Sequence, residues 1–151
     1  MKVKYTHTNI IAKDWKKLAF FYKEVLECTD AALVKNLSGN AISTGTGVKN
    51  AEISGIHLLL PGHGKNSPTL EIFQYSENKT KPPAAANREG ITHLAFEVDI
   101  DDLESLIEKV IKHNGSKLGD LVSIKISDTA TLKFIYMTDP EGNIIELQSF
   151  C

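Results

Sequence analysis

The sequence predicts an α+β protein made of two tandem βαβββ modules, and three observations carry that prediction. A short β-branched, apolar segment around a histidine occurs twice, at Thr6–Ala12 and Thr92–Val98. Each copy runs into an acidic helix cap and an amphipathic helix. Each copy then closes on a segment with a glutamate between large aliphatics, Thr69–Gln74 and Ile144–Gln148. Each intervening stretch is long enough for one helix and three strands.

In the first copy, Thr6–Ala12 reads as a strand and Asp14 as the cap of the helix behind it. Leu18, Phe21, Tyr22, Val25 and Leu26 recur at i, i+3, i+4, i+7, the stripe of a helix lying on a sheet. Asn36 to Asn40, Gly45-Thr46-Gly47 and Pro61 to Asn66 read as hairpin turns. In the second copy, Asp101 or Asp102 caps a helix with the stripe Leu103, Leu106, Ile107, Val110 and Ile111, and Asn114-Gly115 stops it. Asp139-Pro140-Glu141-Gly142-Asn143 is the last turn. The joint is polar, proline-bearing and without apolar period, which gives a first module over 1–77, a linker over 78–89 and a second module over 90–151. Neither half would bury much core alone, so the halves should pack into one unit or exchange with a second chain.

The chain has 151 residues, 42% hydrophobic and 24% charged, as expected of one ordinary globular domain. With 17 Lys plus Arg against 19 Asp plus Glu, its net charge of −2 excludes an electrostatic footprint for nucleic acid or an anionic membrane surface. No apolar h-region follows Lys2 and Lys4, and no run approaches the roughly 18 to 20 apolar residues of a membrane helix. Cys28 and Cys151 are too few and too distant for a disulfide framework or zinc knuckle. Cys28 reads as a small buried hydrophobe, not a nucleophile. A reducing cytoplasm is the expected location.

Successive side chains of a strand face opposite sides of its sheet. His7, Asn9 and Ile11 therefore share one face, and Thr8, Ile10 and Ala12 the helix face. His93 likewise sits opposite Leu94, Phe96 and Val98. Glu71 sits opposite Leu70 and Ile72, and Glu146 opposite Ile145 and Leu147. A carboxylate in such a strand costs several kcal/mol to desolvate unless a cation or donors meet it. One strand histidine is ordinarily structural. Two imidazoles and two carboxylates at repeated positions make one divalent metal the economical partner, with His7, Glu71, His93 and Glu146 as ligands. Such an N/O set accepts Zn, Ni, Co, Mn or Fe.

These segments also carry a resemblance. His7-Thr8-Asn9-Ile10 with Phe21-Tyr22 and Val25-Leu26, Leu70-Glu71-Ile72, Gly90 to Val98, and Asp139 to Leu147 resemble the vicinal-oxygen-chelate superfamily over nearly the whole chain. That superfamily includes glyoxalase I, methylmalonyl-CoA epimerase, extradiol dioxygenases and fosfomycin-resistance thiol transferases. The resemblance implies a single glyoxalase-like domain, its paired modules forming a cupped, partly closed mixed sheet around one metal, with helices outside. It also implies a homodimer. The order His, Glu, His, Glu is closest to glyoxalase I (lactoylglutathione lyase) and the epimerase. This implies a lyase or isomerase that moves a proton between adjacent carbons through a metal-stabilised enediolate, with Glu146 and Glu71 as the catalytic bases. An Fe(II) dioxygenase using His7, His93 and Glu146 is the runner-up, and a drug-sequestering binding protein without turnover the other alternative.

The substrate should be a small molecule. Arg88 is the single arginine, a poor provision for the carboxylates of glutathione. Asn9, Phe73, Tyr75, Phe134 and Tyr136 are expected to line the pocket. Parity along residues 53–60 turns His57 inward with Ile53, Gly55 and Leu59, as a substrate contact; His57 and His63, near Glu71 in sequence, are also candidates to support or replace a metal ligand. Arg88 is a further substrate contact, and Lys65 and Lys125 are possible anion contacts. Gly45-Thr46-Gly47 lacks the third glycine of a dinucleotide loop, and Gly64-Lys65 lacks Walker spacing. His113 reads as an exposed residue at a helix end.

Overall fold

A computed structural model describes residues 1–151, apart from the side chain of Lys65, on which the anion contact expected there depends. The chain divides into two compact units, Met1–Thr80 and Lys81–Cys151. The division falls inside the stretch that reads as a linker.

In the first unit, β1 (His7–Ile11), α1 (Trp15–Leu26), β2 (Thr29–Ser38), α2 (Asn40–Thr46), β3 (Glu52–Leu59) and β4 (Thr69–Tyr75) follow in order. The sheet runs β1-β4-β3-β2, with β1 and β4 parallel and the other pairs antiparallel. In the second unit, β5 (His93–Glu97), α3 (Leu103–Lys112), β6 (Ser116–Lys117), β7 (Val122–Lys125), β8 (Thr131–Thr138) and β9 (Ile144–Phe150) form the sheet β5-β9-β8-β6, with β7 also paired to β8. Again the first and last strands are parallel neighbours. Two mixed, unclosed sheets with helices make the predicted α+β architecture.

Burial follows the predicted stripes. Leu18, Phe21, Tyr22, Val25 and Leu26 are all buried, and α1 packs on β3 and β4. Each such side chain contributes about 1.5–3 kcal/mol on leaving water. Asp14 caps α1 as expected, its carboxylate accepting from the Lys17 backbone N–H at 3.2 Å. On α3, Leu103, Ile107 and Val110 are buried, whereas Ile111 lies at the margin of the stripe and is 48% exposed.

Three local expectations are corrected. Asp102 holds the N-cap position of α3, but its side chain caps nothing; its carbonyl accepts from Ser105 Oγ instead. The stretch Asn36 to Thr46 is not a series of hairpin turns. β2 runs through Asn36, which takes φ +47 at a bulge, and α2 follows with Gly47 at its C-cap at φ +70. Turn-forming residues there serve a bulge and a helix end, both of which use the same left-handed backbone. The strand after α3 is broken into β6 and β7, and Leu118 and Gly119 both donate to the Tyr136 carbonyl at the break. Among the described residues no helix is long and apolar enough to cross a membrane.

Candidate functional site

The parallel first and last strands of each unit set a histidine beside a glutamate. In the first unit β1 lies against β4 with Asn9 opposite Glu71, and β3 flanks the other side with His57 opposite Glu71. Leu70 and Ile72 are fully buried on the helix side. Glu71 points the other way and is still only 8% exposed. Its Oε1 lies 3.5 Å from His7 Nδ1 and 3.3 Å from His57 Nδ1. Its Oε2 accepts from Asn9 Nδ2 at 3.2 Å. Phe73, the next residue on that face, meets the His57 ring edge-on at 5.3 Å between centroids.

The second unit repeats the plan with different neighbours. Glu146 on β9 stands opposite Ala95 on β5 and Tyr136 on β8. His93 Nε2 lies 3.0 Å from Glu146 Oε2. Tyr136 tilts over the His93 ring at 4.9 Å, and Phe134 meets Tyr136 at 5.8 Å. His7 and His93 are each preceded by a threonine whose hydroxyl approaches Nδ1, Thr6 at 3.3 Å from His7 and Thr92 at 3.1 Å from His93. Sequence reasoning aligned these two threonines and gave them no role. In the second unit that contact leaves Nε2 turned to Glu146, the usual way a neighbouring hydroxyl or carbonyl fixes the ring of a metal-binding histidine.

The donor chemistry fits a divalent metal. Two donors about 2.1 Å from one ion, at tetrahedral or right angles, stand roughly 3.0–3.4 Å apart. The His93–Glu146 pair falls in that range at 3.0 Å and the His7–Glu71 pair just above it at 3.5 Å. Among the described residues the ion-pair partners of both carboxylates are histidines, and no Lys or Arg stands beside either one. His7 and His57 both converge on one oxygen of Glu71, which makes that trio centred on a carboxylate. Among the described residues no three His, Cys, Asp or Glu side chains are grouped to hold a metal ion by themselves. The expected ligands thus come together as one pair per unit.

Other expected residues lie apart from these pairs. Arg88 is exposed, and its guanidinium donates to the Pro83 carbonyl at 3.2 Å within its own segment. Lys125 pairs with Asp128 at 2.9 Å. Tyr75 is half-buried at the end of β4, where its backbone N–H donates to Asn78. His113 sits at the α3 C-cap with Nδ1 2.8 Å from the Lys109 carbonyl oxygen. Burial pushes the Cys28 thiol up to about 12, which matches a structural and unreactive cysteine.

No protein-family model and no curated protein matches this sequence. Solved structures do match the fold. A glyoxalase family protein from Bacillus cereus is 17% identical with a TM-score of 0.72, covering 99% of this chain and 94% of its own. A glyoxylase/bleomycin resistance protein/dioxygenase domain from Frankia is 15% identical with a TM-score of 0.63, covering 99% and 97%. The fosfomycin resistance protein FosX from Listeria monocytogenes, solved with Mn(II) and sulfate, is 12% identical with a TM-score of 0.58, covering 99% and 93%. The fold is therefore that of the vicinal-oxygen-chelate proteins, as the sequence motifs led one to expect.

Proposed function

We propose that the chain is a metal-dependent enzyme of the glyoxalase type, a lyase or isomerase that moves a proton between adjacent carbons of a small molecule. The observation that carries this reading is the duplicated pair, His7 with Glu71 and His93 with Glu146, at the same step of two separate sheets. His7, Glu71, His93 and Glu146 would hold one divalent metal, working as a homodimer. FosX, which shares the fold, holds Mn(II) in its structure. When bound, the metal supplies Lewis-acid polarisation of a substrate carbonyl.

The chain's own residues do the rest. A glutamate takes the proton from one carbon and returns it to the neighbouring carbon, and Glu146 and Glu71 are the two available. Phe73, Phe134 and Tyr136 present apolar faces to the substrate, and Tyr136 limits the rotation of His93 by lying against its ring. Asn9 and His57 lie at the first pair, each in contact with the Glu71 carboxylate. The exposed arginine of this chain is held by Pro83, so a substrate bearing several carboxylates is poorly provided for.

A second reading has its own observation. The His7–Glu71 pair, at 3.5 Å, is wider than the His93–Glu146 pair at 3.0 Å, which suits a three-donor set of His7, His93 and Glu146, as in an Fe(II) dioxygenase. Two measurements test these readings. Metal content after reconstitution with Ni, Zn, Co and Fe(II) should be about one ion per chain in the wild type and lost in His93→Ala. With hemithioacetal and acyl-CoA substrates, Glu71→Gln should abolish isomerisation. Retained isomerisation in Glu71→Gln removes Glu71 as the essential base, whereas oxygen-dependent ring cleavage that survives in Glu71→Gln, with no isomerisation by the wild type, overturns the isomerase reading. No metal in any condition overturns both.

A further inference from the structure

We infer that His57 is a positioning residue that fixes the Glu71 carboxylate for metal binding, an inference that rests on the metal-enzyme reading above. The argument begins with the backbone at Gly55. A Cβ there would stand 2.2 Å from the Ile72 carbonyl oxygen and 2.7 Å from Phe73 Cδ1. The missing side chain lets the Phe73 ring lie across β3. There it meets the His57 ring at 74° and 5.3 Å, edge to face. So held, His57 carries Nδ1 to 3.3 Å from Glu71 Oε1, while Asn9 donates to Oε2. Besides His7, which approaches Oε1 at 3.5 Å, the carboxylate thus has one supporting contact on each oxygen; it offers about four lone-pair sites, so its rotation is fixed and sites remain for a cation.

The second unit serves as an internal control. In the β8/β9 register, Phe134 takes the place of Gly55, Gln148 that of Phe73, and Tyr136 that of His57. Tyr136 contacts the His93 ring, and Ala95 stands where Asn9 would reach the carboxylate. The duplication has therefore kept the imidazole–carboxylate pair in both units and built a carboxylate support in only one. Residues that orient a metal-binding side chain in this way typically change metal affinity by about 10- to 100-fold when removed.

The test uses the full chain and Co(II), whose visible absorption reports its coordination. His57→Leu keeps a side chain packed against Phe73 and deletes the nitrogen. His57→Asn places an amide nitrogen where Nδ1 stood. Expected are a Co(II) dissociation constant raised about 10- to 100-fold in His57→Leu, with an altered absorption band, and recovery of most of both in His57→Asn. Thermal melts confirm that each variant is folded. Wild-type affinity in His57→Leu overturns the inference, as does an equal loss in the two variants, which would mean that ring volume and not the nitrogen matters. A wild type that itself takes up no Co(II) is a different result: it removes the metal reading, and the role of His57 goes with it.

Discussion

The Phe73 ring crosses the backbone of Gly55 so closely that no side chain fits between them, a Cβ there lying 2.7 Å from Phe73 Cδ1 and 2.2 Å from the Ile72 carbonyl oxygen. The nearer atom belongs to the β3/β4 ladder and cannot swing aside as a side chain would. Gly55→Ala should destabilise the first unit by about 1–3 kcal/mol, the usual cost of overpacking. Urea unfolding should show a lower midpoint with an unchanged slope. The same variant should also weaken metal uptake, because it displaces the ring that holds His57. A fully stable Gly55→Ala protein would contradict the close approach.

Thr92 should matter to His93 out of proportion to its own burial. Its hydroxyl lies 3.1 Å from Nδ1, and Nε2 faces Glu146 at 3.0 Å. Thr92→Val keeps the shape and removes the hydroxyl. Metal affinity should fall about tenfold, with the melting temperature of the metal-free protein nearly unchanged. An equal loss of metal-free stability would show that the threonine only packs.

Much of this was legible in the sequence because it repeats. Parity alone put His7, His57, Glu71, His93 and Glu146 on the sides of their strands away from the helices, and Leu70, Ile72, Ile145 and Leu147 beneath. What escaped were features whose signal is shared by two structures. Asn36, Gly39 and Gly47 all take positive φ, and a sequence cannot tell a hairpin turn from a bulge or a helix cap that needs the same backbone. Gly55 looked like an ordinary strand residue, since its role lies in a cross-strand contact with Phe73. The threonines before the two histidines were visible as a repeat, but their meaning depends on ring orientation.

Metal binding should stabilise the folded chain by mass action. At a free metal concentration of 100 times the dissociation constant, linkage gives about 2.7 kcal/mol. Addition of Zn(II) or Mn(II) to chelator-treated protein should therefore raise the melting temperature, and a chelator should reverse the rise. His93→Ala should show neither effect. A rise that persists in His93→Ala would place the ion elsewhere on the chain.

The two thiols should behave oppositely. Cys28 is 2% exposed and its thiol is pushed up to about 12, whereas Cys151 is exposed. The thiolate is the reactive form, so at neutral pH only Cys151 should be alkylated by iodoacetamide in the native protein. Denaturation should release Cys28 as a second reacting group. Rapid modification of Cys28 in the folded state, seen by peptide mass, would mean that α1 opens far more readily than its packing implies.

The cap of α1 ties stability to pH. The Lys17 backbone N–H bonded to Asp14, with the Lys17 side chain beside it, holds that carboxyl below its ordinary value. A folded-state value below the unfolded one means stabilisation that is complete above the unfolded value near 3.9. It is lost as the pH falls through the folded value. At pH 7, Asp14→Ala should cost about 0.5–1 kcal/mol, the lower part of the usual N-cap range, since the site is near the surface. Below pH 4 the difference between variant and wild type should shrink, because the wild-type carboxyl becomes protonated and its charge-assisted bond weakens. Denaturant melts of both proteins at pH 7 and pH 3 check the sign. A gap that widens toward acid would mean that the cap acts through something other than its charge.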